Sequence, residues 1–234
     1  MIKLKKNIIG IATFLLIIIL AIIVTSDSKT PKTKVIEKIK VEKENVLTYD
    51  DIKKKDNIVF LGDSIMDWYP IEEIYGDLPI IKSGIAGYET DDILSRMDEM
   101  VYRYNPTKVF LLIGTNDLKR DEDKTKETAN KIIEILNNIK TKRPMTKLYY
   151  QSIYPVNRNL SAAEERYNDE IKDVNRIVKE YCDKNNVTYI NMFDELTDDK
   201  GNFKESLTRD GLHPNDLGYA RISQVLLRYI YEKE

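Results

Sequence analysis

Apolar residues along this chain fall into three patterns, and each predicts a different kind of element. Residues 8–24 form an almost unbroken apolar run. Short apolar runs closed by glycine or small polar residues recur at 57–61, 78–82, 108–113, 147–153 and 187–191, as expected of strands covered on both faces. Between them, apolar residues return at three-to-four spacing over 90–104 and 124–140 and again after Asp216, the signature of amphipathic helices. A further helix is expected over 161–184, opened by a Ser161-x-x-Glu164 capping box. Strands that alternate with helices of this length predict a three-layer α/β/α sandwich around a five-stranded parallel sheet. No period of 20 to 50 residues repeats, which excludes a solenoid.

The first run has 17 residues and follows Lys3, Lys5 and Lys6, which predicts an N-terminal transmembrane helix in residues 1–24. No Ala-x-Ala site follows it, so an uncleaved anchor is favoured over a cleaved signal peptide. Lys29, Lys32, Lys34 and Lys38 balance the lysines before the span, and the positive-inside count does not decide orientation. The short tail and signal-like layout favour a C-terminal domain outside the cytoplasm. Residues 25–56 are rich in Lys and Glu without a clean apolar face and are expected to form a solvated stalk. The globular domain is then assigned to residues 57–234.

Charge narrows the partners. Residues 1–58 carry 12 Lys or Arg against 7 Asp or Glu, leaving 25 against 32 in residues 59–234. An acidic globular part argues against nucleic acid as partner. The single cysteine, Cys182, excludes an intramolecular disulfide and lies in a helical pattern as a small core residue.

The candidate chemistry sits where strands end. The first strand stops at Gly62-Asp63-Ser64, the second runs into Ser83-Gly84, and the third stops at Gly114-Thr115-Asn116-Asp117. In a parallel sheet these points share one edge, where ligands bind. The segment Asp210-Gly211-Leu212-His213 can reach the same edge, and His213 is the only histidine. A serine hydroxyl needs a base to become a nucleophile, and an imidazole with an unperturbed pKa near 6.5 suits that task. Asp210, three residues earlier, can accept the other ring N–H. The backbone N–H groups of Ser64 and Gly84 and the Asn116 amide are placed to stabilise an oxyanion. Asp63 is expected to orient the Asn116 loop. Trp68 and Tyr154 are candidate substrate-lining residues, with core packing favoured for Trp68.

Gly62-Asp63-Ser64, Gly84, Gly114-Thr115-Asn116-Asp117 and Asp210-x-x-His213, in that order, resemble the four sequence blocks of the SGNH (GDSL-type) hydrolase superfamily. The resemblance covers about residues 57–231. It implies a flavodoxin-like sheet, a Ser64–His213–Asp210 triad, an oxyanion hole from Ser64, Gly84 and Asn116, and no metal or organic cofactor. Ser83 departs from the pattern, because many members carry Asn before the second-block glycine. The Gly-x-Ser-x-Gly elbow of α/β-hydrolases is absent, since Ile65-Met66 follows the serine.

The expected function is therefore a membrane-anchored serine esterase. It would remove short acyl groups, acetyl foremost, from a small acyl ester or from cell-surface or environmental carbohydrate. A lysophospholipase or thioesterase using a deeper apolar trench, an O-acyltransferase, and a non-catalytic glycan-binding module are the alternatives. The acyl group, the alcohol it is attached to and the oligomeric state are left open.

Overall fold

Five strands, Ile58–Gly62 (β1), Ile80–Gly84 (β2), Lys108–Leu112 (β3), Lys147–Gln151 (β4) and Thr188–Ile190 (β5), form one sheet in the order β2-β1-β3-β4-β5. Every neighbouring pair is parallel. The computed structural model describes residues 47–119, 124–163 and 165–232. The expected anchor, and the expected stalk up to residue 46, lie outside them. Among the described residues no helix is long and apolar enough to cross a membrane.

The strands are apolar on both sides, and successive side chains feed opposite cores. Val59, Leu61, Val109, Leu111 and Tyr150 pack under the helices Thr90–Ser95, Met97–Met100, Thr125–Lys142 and Asn168–Lys184. Ile58, Phe60, Phe110, Leu112 and Tyr149 pack on the other face with Ile65, Met66, Tyr69 and the C-terminal helix Asp216–Ile230. The result is the predicted three-layer α/β/α sandwich. Lys108 is a buried cation at the start of β3. Its ammonium donates to Ile230 O at 2.6 Å, where the last helix exposes unpaired carbonyls. Cys182 is buried in the first core, and burial pushes its thiol up to about 12, which suits a packing role and not a reactive one.

The elements differ from expectation at three places. The folded unit begins at Leu47, ten residues before the assigned boundary. Leu47 N donates to Tyr231 O at 2.8 Å, Thr48 caps the helix Tyr49–Lys55, and Ile52 is fully buried. One buried isoleucine in a charged heptapeptide leaves no periodic signal. Second, the helix expected over 90–104 is broken: Arg96 ends one helix and opens the next, and a 3-10 turn at Tyr102–Tyr104 ends in left-handed Asn105.

Third, the helix expected from 161 starts at Asn168, after a 3-10 turn at Ser161–Ala163. Glu164, the other half of the expected capping box, lies outside the described residues. The late start has a physical cause in the side chains beside it. Asn168 exchanges hydrogen bonds of 2.8 and 2.9 Å with both backbone groups of Val156, and Arg166 is turned inward (below).

Candidate active site

The end of β1 is built so that a serine can stand at the sheet edge. A Cβ on Gly62 would lie 2.1 Å from Leu112 O on the neighbouring strand, so only glycine fits there. Asp63 then caps the short helix Ser64–Asp67, its Oδ1 accepting from Ile65 N at 2.9 Å. Ser64 is the first residue of that helix. Gly84 pairs with Gly62 in register, and the helix backbone rests on it: a Cβ at Gly84 would meet Asp67 N at 2.4 Å and Met66 C at 2.6 Å. Beside it, Ser83 is buried and donates from Oγ to Met100 O at 2.7 Å, so its side chain serves the helical layer and leaves the adjacent backbone in place.

His213 comes from a tightly self-bonded loop. Thr208 Oγ1 donates to His213 O at 2.8 Å and accepts from Gly211 N at 2.9 Å. Gly211 has φ +88°, and a Cβ there would lie 2.4 Å from Asn157 O. The loop brings His213 Nε2 to 3.0 Å from Ser64 Oγ, and Nδ1 to 2.7 Å from Asp210 Oδ2. The other oxygen of Asp210 accepts from Leu212 N at 3.0 Å and His213 N at 2.8 Å. Burial pushes the Asp210 carboxyl up, but the His213 backbone N–H, the imidazole and the Leu212 N–H together outweigh it and hold the carboxyl below its ordinary value. It is thus an ionised acceptor fixed against the ring.

Asn116 lies beyond the end of β3. Its Nδ2 donates to Tyr88 O at 3.0 Å, and its Oδ1 accepts from the Arg166 guanidinium at 3.0 Å. Arg166 is buried, and it also donates through Nε to Thr115 O at 2.8 Å and through the second terminal nitrogen to Ala162 O at 3.1 Å. The loop expected to be oriented by Asp63 is therefore held by Arg166 and Tyr88, while Asp63 spends its hydrogen bond on the serine helix. Asp117 fixes the loop from the other side by accepting from Thr90 N at 3.2 Å and from the Thr90 hydroxyl.

Asp63 is almost wholly buried and its Oδ2 has no hydrogen-bond partner. Burial raises its pKa to about 7, against the lowering effects of the Ile65 N–H and the Arg166 charge. A carboxyl that exchanges its proton near neutrality stands directly beside Ser64.

The two expected lining residues exchange places. Trp68 is 43% exposed beside the His213 ring instead of packed in the core. Tyr154 is buried in the second core, where its hydroxyl donates to Gln151 Oε1 at 2.8 Å, so it lines no open surface. An open depression of about 410 Å³ adjoins the site and is lined by Gly87, Glu89, Asn116 and Lys119. Among the described residues no group of three or more His, Cys, Asp or Glu is arranged to hold a metal ion.

A parallel α/β sandwich with a serine, a histidine and an aspartate linked by hydrogen bonds at the carboxyl ends of its strands is the architecture of a serine hydrolase. Residues 60–221 match the GDSL-like Lipase/Acylhydrolase family. The chain belongs to that family, within the SGNH superfamily.

Its sequence is 28% identical over 165 residues to an N-acylneuraminate cytidylyltransferase of Escherichia coli O18:K1:H7 (strain RS218 / NMEC). That match covers 70% of this chain but only 38% of the relative's length. Among solved structures, a Streptococcus pneumonia protein provisionally described as a platelet activating factor is 30% identical, with a TM-score of 0.70. It aligns over 86% of this chain and 100% of that one. A catalytic mutant of Axe2, an acetylxylan esterase from Geobacillus stearothermophilus, shares the fold at 20% identity and a TM-score of 0.58, over 75% of this chain and 94% of its own.

Proposed function

We propose that this enzyme removes short acyl groups, acetyl foremost, from carbohydrate, with Ser64 as nucleophile, His213 as general base and acid, and Asp210 as the carboxylate that orients the ring. The observation that carries this reading is the hydrogen-bonded chain from Ser64 Oγ through His213 to Asp210, at 3.0 and 2.7 Å. In the first step Ser64 Oγ bonds to the acyl carbon, its proton passes to His213 Nε2, and the carbonyl π pair moves onto oxygen. That oxyanion is received by the N–H groups of Ser64 and Gly84 and the amide of Asn116. Collapse breaks the bond to the alcohol, which leaves with the proton from His213. Water then attacks the acyl-serine by the same route, releasing the carboxylic acid and restoring Ser64.

Two features support a short acyl group on a sugar. The surroundings of Ser64 offer a half-exposed indole, Trp68, with the Arg209 guanidinium 5.6 Å from its ring centroid. The adjoining depression carries a carboxylate, an ammonium and an amide in place of an apolar trench. In the Geobacillus enzyme the same fold serves acetyl removal from xylan. Residues 1–24 would anchor the domain with its site outside the cytoplasm.

The test uses the full-length chain on p-nitrophenyl acetate and p-nitrophenyl octanoate, beside Ser64→Ala. A kcat/KM at least tenfold higher for acetate, lost in the variant, is the expected result. Preference for octanoate would overturn the short-chain reading in favour of a lipid substrate. Turnover retained by a folded Ser64→Ala protein would overturn the assignment of the nucleophile.

A further inference from the structure

We infer that Arg166 is the positioning residue of the oxyanion site, holding the Asn116 amide in the one orientation that presents an N–H to the reacting carbonyl. The inference deepens the proposed reading and rests on it, since it takes Ser64 as the attacking group and Asn116 as a donor.

A guanidinium has donors only. Because Arg166 donates to Asn116 Oδ1 at 3.0 Å, the amide oxygen must face Arg166 and the NH2 group must face away from it. A flipped amide would set donor against donor at this part-buried contact. One of the two amide hydrogens is taken by Tyr88 O at 3.0 Å. Each NH2 carries two hydrogens, so the second is left for a substrate oxygen. Arg166 also fixes the preceding carbonyl, donating to Thr115 O at 2.8 Å, so one side chain sets both the rotamer and the backbone of this donor.

The placement has an electrostatic consequence. Arg166 is 3% exposed, and among the described residues its hydrogen bonds go to the oxygens of Thr115, Ala162 and Asn116, none of them a carboxylate. Asp63, Glu165 and Asp210 act on it through space. Burying a cation without a bonded counter-ion is costly, and the cost is offset only by the hydrogen bonds and opposite charges around it. A positive charge bonded to Oδ1 draws electron density from the amide and makes its N–H a stronger donor, and the effect is largest as negative charge develops on the substrate oxygen. Arg166 is thus expected to favour the transition state over the bound ester.

The experiment is a double-mutant cycle on the full-length chain with p-nitrophenyl acetate, using Arg166→Met, Asn116→Ala and the pair. Thermal unfolding and Ser64→Ala serve as controls. Arg166→Met is expected to lower kcat about 100-fold with KM changed less than about threefold, the range of a lost oxyanion donor. In the Asn116→Ala background the same substitution is expected to lower kcat less than about threefold, because the amide it positions is gone. A loss of equal size in both backgrounds would overturn the inference, as would a folded Arg166→Met protein with unchanged kcat.

Should Arg166→Met fail to fold, Arg166→Lys makes the same comparison. It keeps the charge but not the fork that reaches Thr115 and Asn116 together, and an additive loss again overturns the inference. Failure of the underlying reading shows separately, as activity retained by Ser64→Ala or full activity in Asn116→Ala.

Discussion

Trp68 and His213 are ring neighbours, with centroids 4.4 Å apart and planes inclined by 43°. The indole shields one side of the imidazole while 43% of the residue faces solvent, and Arg209 stands over the indole at 5.6 Å. It therefore has two surfaces to offer, one to the base and one to whatever approaches Ser64.

The two roles separate by substrate. Trp68→Ala should lower kcat/KM on an acetylated oligosaccharide by about tenfold, the upper end of an aromatic contact worth about 0.5–1.5 kcal/mol. On p-nitrophenyl acetate, which has no sugar to stack, the loss should stay within about threefold. Steady-state kinetics on both esters check this, and equal losses would confine Trp68 to the His213 ring.

Asp210→Asn tests the carboxylate. Asn can still accept from Leu212 N and His213 N through Oδ1, so the loop is kept, but its NH2 would face Nδ1 and favour the wrong tautomer of His213. A fall in kcat of about 10³ to 10⁴ is expected with little change in thermal midpoint. A loss below tenfold would mean that the ring is oriented by other contacts.

The sheet and the four sequence blocks were legible because both are local: apolar runs end where glycine or a small polar residue must stand. Gly62 ends β1, and Ser64 and Asn116 each follow a strand within four residues. Arg166 was not legible. It lies in irregular chain just past what reads as a capping box, and its partners Thr115 and Asn116 are 51 and 50 residues away. A lone arginine among charged residues reads as surface. Trp68 and Tyr154 were misplaced for a related reason. One turn past a strand, burial depends on which way the backbone leaves the sheet. Tyr154 folds back on Gln151, whereas Trp68 ends its helix pointing toward the edge.

Asp63 gives the fold a pH dependence of definite sign. Its pKa is about 7 in the folded chain against 3.8 ordinarily. Between about pH 4 and 7 the unfolded chain has released this proton while the native chain retains it, so stability falls as pH rises across that window. Below it both states are protonated; above it the native state carries the full penalty, on the order of 4 kcal/mol. Asp63→Asn keeps an oxygen for Ile65 N and cannot ionise, although it also gives up the attraction to Arg166. Urea unfolding should find variant and native protein similar at pH 4 and the variant more stable at pH 8. Stability curves that stay parallel from pH 4 to 8 would show that Asp63 does not retain its proton in the native state.

Gly84 and Gly87, three residues apart, should respond differently to the same change. A methyl at Gly84 meets Asp67 N at 2.4 Å and Met66 Cβ at 2.6 Å, so the Ser64–Asp67 helix must move off the sheet. Gly87 has φ +82° but nothing within 4 Å. Gly84→Ala should cost about 1–3 kcal/mol through overpacking and reduce kcat at least 100-fold, because the displaced helix carries Ser64 away from His213. Gly87→Ala should cost about 1 kcal/mol of backbone strain and leave kcat within a few-fold. Thermal unfolding read beside kcat separates the two. If both variants lost stability alike and kept their activity, contact between Gly84 and the serine helix would not be what holds Ser64 in place.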